Sequence, residues 1–336
     1  MVNNSNILPL NADVALEELA TDAVAVGLPM NTRFRNTTVR EVMLLKGPMG
    51  WAEFSPFPEY GPEEAATWLS ATIEAGWHGW PNPLRDKVPV NATVPAVDPD
   101  DVETVLAKFG EVSAVKVKVA DPDVATDIAR VQRVRELLPE AAIRIDANAG
   151  YTHDQAFEAI TALDFLDYAE QPVAGIQPLA ELRAALREAD STVLIAADEA
   201  VRKATDPLAV AQAEAADVII VKVQPLGGVR RALSIVEQAG LQAVVSSALD
   251  SSVGIAAGVA LAAALPELNH ACGLATAALF DAEPATPAIP VAGHLVPGTS
   301  PSPDPAALEK LKLPPERQAW WQRRLAQAHS ILIDKA

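Results

Sequence analysis

The sequence has little of several features that would narrow its function. It holds one cysteine, Cys272, which excludes a disulfide framework and a cysteine-based metal cluster. Its longest apolar run, residues 253–265, is too short to cross a bilayer. The first residues, MVNNSNILPL, lack the basic flank and apolar segment of a secretion signal. We therefore expect a cytoplasmic protein that does not enter a membrane.

Basic residues are also scarce. The chain has 26 Lys and Arg against 44 Asp and Glu, a formal net charge of −18 and a pI near 4.6. This balance argues against nucleic acid as a partner and leaves a small-molecule substrate as the expectation. Half of the 336 residues are hydrophobic, which is enough for a large core.

Polar side chains recur between residues 115 and 249, each near the end of a short β-branched run. They are Lys116 and Lys118 in VKVKV, Asp146 in AIRIDAN, Glu170 in DYAEQP, Asp198 and Glu199 in VLIAADE, Lys222 in VIIVKVQP, and Ser246 and Ser247 in AVVSSALDSS. The intervals between them fit one strand plus one crossover helix. Buried parallel strands normally carry apolar side chains, and unpaired charges there are costly. The pattern therefore predicts one site, assembled at the carboxyl ends of the strands of a parallel barrel.

The predicted fold class is α/β, a (β/α)7β modified TIM barrel with an α+β capping domain. The cap would comprise residues 1–86, the barrel residues 87–285, and the C-terminal segment 286–336 would return to the cap. Asp-Pro pairs at Asp98, Asp121 and Asp206 predict helix starts.

Four further local predictions complete this division. Residues 31–36, NTRFRN, are predicted as a loop, residues 63–76 as a helix, and residues 273–280 as the eighth strand. A last helix over 316–330 is expected to pack Trp320 and Trp321 on the N-terminal region.

Three carboxylates, those of Asp146, Glu170 and Asp198, would repel one another unless a cation lay among them. An all-oxygen set without His or Cys favours Mg²⁺, with Mn²⁺ as a substitute. Strand alternation sends only one of Asp198 and Glu199 inward, and we favour Asp198 as the ligand with Glu199 in support. The alternative is that the three carboxylates merely cap helix N-termini.

Two lysines, Lys118 and Lys222, lie on the second and sixth strands and can face each other across the barrel mouth. Lys116 shares a face with Lys118, so its charge, with that of a cation, would favour the neutral amine of Lys118. A lysine base beside a Lewis acid suits removal of a proton α to a carboxylate, with the metal stabilising the enediolate. The alternative for Lys116 is a scaffolding ion pair with a buried carboxylate.

Four more residues complete the set of candidates drawn from the strand ends. Arg144 would lie one layer deeper than Asp146 and is a candidate partner for Glu170 or another ligand carboxylate. Asn148 is assigned a supporting role. Ser246 and Ser247 could donate hydrogen bonds to a substrate carboxylate or ketone, or be satisfied by the backbone.

The order of these motifs resembles the enolase superfamily, in its muconate-cycloisomerase-like subgroup, over almost the whole chain. The matching motifs are KxK, RIDAN, YAEQP, AADE, VKVQPLGG and SSALDSS. Three further stretches resemble the o-succinylbenzoate synthase family of the actinobacterial type: LPMNTRFRN, VREVMLLKGPMGWAEFSPFPEYGPEEAA and VPVNATVPAVDP.

The resemblance implies a Mg²⁺-dependent syn dehydration of 2-succinyl-6-hydroxy-2,4-cyclohexadiene-1-carboxylate to 2-succinylbenzoate in menaquinone biosynthesis. It implies that Lys118 abstracts the proton and that Lys222 stabilises the intermediate from the opposite face. A cap loop carrying Arg33 and Arg35 would close over the succinyl tail. The cap looks smaller than in relatives that use theirs to oligomerise, so a monomer is expected.

Other activities remain open on this scaffold: N-succinylamino acid racemase, dipeptide epimerase or muconate cycloisomerase. Two lysines across the mouth would suit racemisation, since one removes a proton and the other returns it on the opposite face. A Schiff-base aldolase with Lys222 as nucleophile leaves the carboxylates unexplained. A non-catalytic barrel predicts neither a metal nor a need for Lys118.

Overall fold

The computed structural model of the protein describes residues 7–34, 37–121, 123–201 and 206–335, and no side chain is described within residues 32–37. Two large apolar cores lie in this part of the chain. One fills and surrounds a parallel barrel, and the other lies between a small antiparallel sheet and the helices packed on it.

The amino-terminal part forms the antiparallel sheet of the cap. Its elements are helix α1 (Leu16–Ala20), strands β1 (Val24–Phe34), β2 (Thr37–Gly47) and β3 (Gly50–Phe54), and helix α2 (Pro62–Ile73). β2 is the central strand, so residues 42–45 are all buried. Helix α2 begins with Pro62 in its first turn and continues as a wider turn, Glu74–His78. A side chain at Gly47 would overlap the carbonyl oxygen of Gly76, so only glycine lets the hairpin approach this helix end.

Between residues 87 and 250, the described part of the chain forms eight strands. They are β4 (Val88–Pro89), β5 (Ala92–Val94), β6 (Ala114–Lys118), β7 (Ala142–Asp146), β8 (Tyr168–Glu170), β9 (Leu194–Ala197), β10 (Val218–Val221) and β11 (Gln242–Val245). β5 to β11 form one parallel sheet in chain order. Cys272 bridges to Val90 and Gly273 bridges to Ser246, both in parallel, which closes the sheet into a barrel.

Helices cover the outside of the barrel. They are α3 (Val102–Leu106), α4 (Val124–Leu137), α5 (His153–Ala162), α6 (Ile176–Glu188), α7 (Asp206–Gln212), α8 (Val223–Leu226), α9 (Val229–Ala239) and α10 (Ser252–Ala264). The apolar run at 253–265 is accounted for by α10, which is buried over nearly its whole length. Among the helices described, none combines the length and apolar character needed to cross a membrane.

The C-terminal segment returns to the cap. Strand β12 (His294–Leu295) pairs with β4, and helices α11 (Pro305–Leu311) and α12 (Pro315–Lys335) follow. Trp321 is fully buried, donates from Nε1 to Glu41 Oε2 at 2.9 Å and meets the Phe54 ring edge-on. Arg324 Nη2 donates to the carbonyl oxygens of Phe57 and Tyr60, each at 2.8 Å. Both ends of the chain therefore build the cap of a (β/α)7β barrel, as predicted, whereas the boundaries near residues 86 and 285 stay predictions.

Three local predictions differ from the structure. Residues 31–34 continue β1 rather than starting a loop. At the start of the segment predicted as the eighth barrel strand, residues 272 and 273 pair with neighbouring strands. Thr276–Leu279, predicted within that strand, form a 3-10 turn. Asp98 makes no side-chain cap, whereas Asp123, not Asp121, caps α4 by accepting from Thr126 N at 2.9 Å.

Candidate active site

The parallel register aligns the ends of neighbouring strands. Lys118 pairs with Asp146, and Asp146 pairs with Glu170, so these three side chains stand at one level of the barrel. Glu170 pairs with Ala196, which places Asp198 on the same face one step beyond the end of β9. Lys222 immediately follows β10. The structure thus brings together the predicted carboxylates and lysines from five successive strands.

Each of the three carboxylates contacts a lysine. Lys118 Nζ lies 2.5 Å from Asp146 Oδ2, and Lys222 Nζ contacts Asp198 Oδ1. Lys116 Nζ lies 3.1 Å from both Asp146 Oδ2 and Glu170 Oε1. The result is a row in which Glu170 is central and Lys118 and Lys222 stand at opposite ends.

Burial and crowding set the electrostatics of this row. Burial, reinforced by the Asp146 carboxylate, raises the pKa of Glu170 to about 8. Burial acts in the same direction on Asp146, but the ammonium groups of Lys118 and Lys116 hold the pKa of Asp146 far below its usual value. Burial opposes the charge of Lys116 as well, yet Glu170 and Asp146 raise the pKa of Lys116 well above its usual value. Lys116 therefore serves as a buried counter-ion, and its predicted effect on Lys118 stays a prediction.

Asn148 and Glu199 lie at the solvent side of the row. Lys118 Nζ donates to Asn148 Oδ1 at 2.7 Å, and Asn148 Nδ2 donates to Glu199 Oε1 at 3.3 Å. Asp198 is 4% exposed, whereas Glu199 is half-buried and begins a 3-10 turn, Glu199–Val201. Of the two adjacent acids, Asp198 is the one on the inner face with Glu170.

Arg144 does not reach the carboxylate row. It donates to Asp167 Oδ2 at 2.8 Å, to the Ala271 carbonyl oxygen at 2.7 Å and to the Tyr168 hydroxyl at 3.2 Å. The prediction that Arg144 would pair with Glu170 or another ligand carboxylate is therefore wrong. Asp167, at the opposite end of β8 from Glu170, takes that place because Arg144 lies one layer deeper in the barrel.

The predicted substrate-binding residues divide into two groups. Ser246 and Ser247 follow β11 at the carboxyl end of the barrel and are half-buried, and Ser247 Oγ lies 2.8 Å from Thr276 Oγ1. Arg35 lies outside the described residues, as does the side chain of Arg33. For both groups, the serines and the arginines, contact with a substrate stays a prediction.

Two buried features behind the site were missed from the sequence. Gln171 follows Glu170 directly, is fully buried, and accepts from Asp198 N at 3.0 Å. Arg130, on α4, pairs with Asp127 at 2.7 Å and donates to the Lys118 carbonyl oxygen at 3.0 Å. A polar residue beside a ligand and an Asp-x-x-Arg pair on an inner helix face were the available signals.

The donor set fits a hard divalent cation in chemistry and burial. Asp146, Glu170 and Asp198 are buried and offer only oxygen donors. Burial, and after it the neighbouring Asp146 carboxylate, raises the pKa of Glu170, and a cation among the three carboxylates would oppose both effects. As placed, lysine Nζ atoms lie against these oxygens. Within the described part of the chain, no three acidic, His or Cys side chains form a ready-made metal cage. An ion bound by these three carboxylates would require those ammonium groups to withdraw from the oxygens.

Comparison with known proteins agrees with the fold. Family models described as Enolase N-terminal domain-like and Enolase C-terminal domain-like match residues 25–76 and 100–303. Muconate lactonizing enzyme from Pseudomonas putida has a TM-score of 0.71 at 20% identity, covering 87% of this chain and 98% of that one. For 2-chloromuconate cycloisomerase from Rhodococcus opacus 1CP the TM-score is 0.72 at 23% identity, with the same coverage. The two family models place the chain in the enolase superfamily, whose members generally use a divalent metal ion.

Similarity in sequence narrows the family further. The o-succinylbenzoate synthase of Mycolicibacterium smegmatis is 50% identical, covering 96% of this chain and 99% of the relative. Those of Mycobacterium ulcerans and Mycobacterium tuberculosis are also 50% identical, covering 96% and 95% of this chain and 97% of each relative. The chain belongs to the o-succinylbenzoate synthase family of this superfamily and is an enzyme.

Proposed function

We propose that the chain dehydrates 2-succinyl-6-hydroxy-2,4-cyclohexadiene-1-carboxylate to 2-succinylbenzoate, as a hydro-lyase of menaquinone biosynthesis. The observation that carries the proposal is the row in which Lys118 and Lys222 flank Asp146, Glu170 and Asp198. The relatives named o-succinylbenzoate synthase, which are 50% identical in sequence, favour this reaction over others on the same scaffold.

Lys118 is proposed as the base. It stands at the end of β6, and its Nζ is held between Asp146 and Asn148. Its amine would take the proton α to the ring carboxylate, and the resulting ammonium could pass that proton to the departing hydroxyl, which leaves as water. The new double bond completes the aromatic ring, so no other electron acceptor is needed.

Lys222 is proposed to stabilise the charge that develops on the substrate from the opposite face. Its ammonium stands beyond Asp198, at the far end of the row from Lys118. Asp146, Glu170 and Asp198 would hold the cation, which we propose to be Mg²⁺ with Mn²⁺ as a substitute. When bound, the ion would neutralise the growing negative charge of the substrate carboxylate.

Supporting and substrate-binding roles follow from position. Lys116 balances the charge of Asp146 and Glu170, and Asn148 would hold the Lys118 amine through its hydrogen bond from Nζ. Glu199 would act through its hydrogen bond from Asn148. Ser246 and Ser247 stand at the barrel mouth, where they could donate to the succinyl carboxylate or ketone.

The dehydration can be followed directly by ultraviolet absorbance, because the product is aromatic. We expect turnover in the presence of Mg²⁺. A chelator should abolish it, and added Mg²⁺ should restore it. Turnover that is unaffected by the chelator would contradict the proposal.

The placement of two lysines at opposite ends of the row also suits an N-succinylamino acid racemase. A racemase would exchange the α-hydrogen of N-succinyl amino acids for solvent deuterium, which NMR detects. Exchange without dehydration would favour the racemase. Dehydration with slower exchange is the result expected here.

We further propose a cytoplasmic monomer that binds no nucleic acid, as the small cap and the acidic charge indicate. Size-exclusion chromatography with light scattering tests the monomer.

A further inference from the structure

Gln171 joins the three chain segments that carry the proposed metal ligands. It directly follows Glu170, is fully buried, and has a left-handed backbone with φ of 37°. Its backbone N–H donates to the Ala196 carbonyl oxygen at 2.7 Å, and its own carbonyl oxygen accepts from Ala149 N at 2.7 Å. It therefore touches the segments after β7 and at the end of β9 while continuing the segment of β8.

Both the oxygen and the nitrogen of the Gln171 side-chain amide are hydrogen-bonded. Oε1 accepts from Asp198 N at 3.0 Å and from Ala200 N at 3.1 Å, and Nε2 donates to the Val173 carbonyl oxygen at 2.8 Å. The first N–H groups of a helical turn have no partner within the turn. Gln171 supplies that partner for the turn Glu199–Val201, which begins directly after Asp198.

This arrangement bears on which acid faces the row. Asp198 and Glu199 are adjacent, and the backbone direction at 198 decides which carboxylate points to Glu170. Because one amide oxygen holds both N–H groups that flank Glu199, it fixes that direction. The Nε2 bond to Val173 in turn prevents the amide from turning away.

We propose that Gln171 is a positioning residue that sets the place of the Asp198 carboxylate relative to Glu170 and thereby the affinity of the site for a divalent cation. The inference rests on the proposed ligand role of Asp198. Outer partners of metal ligands typically change affinity by roughly 10- to 100-fold when they are removed.

The test is calorimetric titration of chelator-treated, full-length protein with Mg²⁺, without substrate, together with the Tm of the metal-free protein. Gln171→Met keeps the length and loses both polar ends, and is expected to raise the Kd for Mg²⁺ by roughly 10- to 100-fold. Gln171→Glu keeps an oxygen facing both N–H groups but loses the donor to the Val173 carbonyl oxygen, so it is expected to weaken Mg²⁺ binding less than Gln171→Met does. Gln224→Met is the matched control, since Gln224 is also a buried glutamine but bonds to Gly254 rather than to a ligand segment. Its Kd is expected to stay at the wild-type value.

A purely structural role predicts something different. A lower Tm for Gln171→Met with an unchanged Kd would overturn the proposal, as would equal weakening in the Met and Glu variants. If Gln171→Met does not fold, Gln171→Asn replaces it. Asparagine tolerates the left-handed backbone but is too short to reach Asp198 N, so the same weakening is expected and an unchanged Kd would overturn the proposal. Because no substrate is present, failure of the dehydration assay in wild type is distinguishable from failure here.

Discussion

Lys118 is the residue on which the proposed chemistry depends most. Its Nζ lies within hydrogen-bonding distance of Asp146 and Asn148, at one end of the carboxylate row. Lys118→Ala is expected to lower turnover by at least about 10²- to 10⁴-fold, the usual contribution of a general base. Mg²⁺ binding should stay largely intact because all three carboxylates remain. Steady-state rates measure the loss of turnover, and calorimetric titration measures Mg²⁺ binding. Near-normal turnover would mean that another residue is the base.

Asp198 and Glu199 can be separated by matched amide substitutions. Asp198→Asn removes a charge that faces Glu170 on the inner side, so its Kd for Mg²⁺ should rise by more than the roughly 10- to 100-fold typical of an outer partner. Glu199→Gln, half-buried beside Asn148, should raise the Kd within that range or below it. Calorimetric titration of both metal-free variants with Mg²⁺ shows which substitution raises the Kd more. The reverse order would assign the ligand role to Glu199.

Helix α4 braces the strand end that carries Lys118. Arg130 and Asp127 are both 1% exposed, and Arg130 donates to the carbonyl oxygens of Val97, Lys118 and Asp121. Arg130→Met leaves the Asp127 carboxylate buried without its counter-ion, which should reduce the free energy of unfolding by about 3–5 kcal/mol. Urea denaturation measures this loss.

Arg133 on the same helix provides the control. Its pairs with Glu103 and Glu136 are solvent-exposed, so Arg133→Met should cost no more than about 1 kcal/mol. Equal losses in the two variants would show that the buried position of Arg130 gives it no special role.

The element order was predictable, but several partners were not. Spacing and β-branched runs located the strand ends because a strand and a crossover helix have nearly constant lengths. The prediction of a strand over residues 273–280 was wrong for most of that segment, because a short apolar run has no periodicity that separates a strand from a tight helical turn. The depth of Arg144 was predicted, but its pairing with Asp167 was not, because the sequence does not show that Asp167, directly before β8, lies at that depth. The bond from Asp198 N to Gln171 required a register between strands that sequence spacing does not set.

A buried polar network joins the cap to the barrel across the whole molecule. Glu53 on β3 accepts from Ser251 N at 3.0 Å and from Ser55 Oγ at 2.6 Å. Arg40 on β2 donates to the Leu249 carbonyl oxygen at 3.1 Å. Both partners in the barrel lie in the segment that begins with Ser246 and Ser247. The cap therefore holds the segment that carries the proposed substrate-binding serines.

This network makes stability depend on pH. Burial, reinforced by Asp250, raises the pKa of Glu53 from near 4.5 to about 7. Between these values the folded protein keeps a proton that the unfolded chain has lost, so stability falls as pH rises through this window, by roughly 3 kcal/mol from Glu53. Glu53→Gln should remove that part of the slope between pH 4.5 and pH 7. Denaturant unfolding of metal-free protein at several pH values measures it.

Glu64→Gln is the control for this slope, because Glu64 is exposed on α2. Its stability profile should follow that of wild type. A slope in Glu53→Gln as steep as in wild type would show that Glu53 is already ionised in the folded protein.

The central claim is that three carboxylates from neighbouring strands hold one divalent ion between two lysines. A crystal structure with Mg²⁺ and 2-succinylbenzoate tests it most directly. The predicted result is one ion bound by Asp146, Glu170 and Asp198, with Nζ of Lys118 and Nζ of Lys222 on opposite faces of the ligand. An ion bound elsewhere, or both ammonium groups on one face or turned away from the ligand, would contradict the claim.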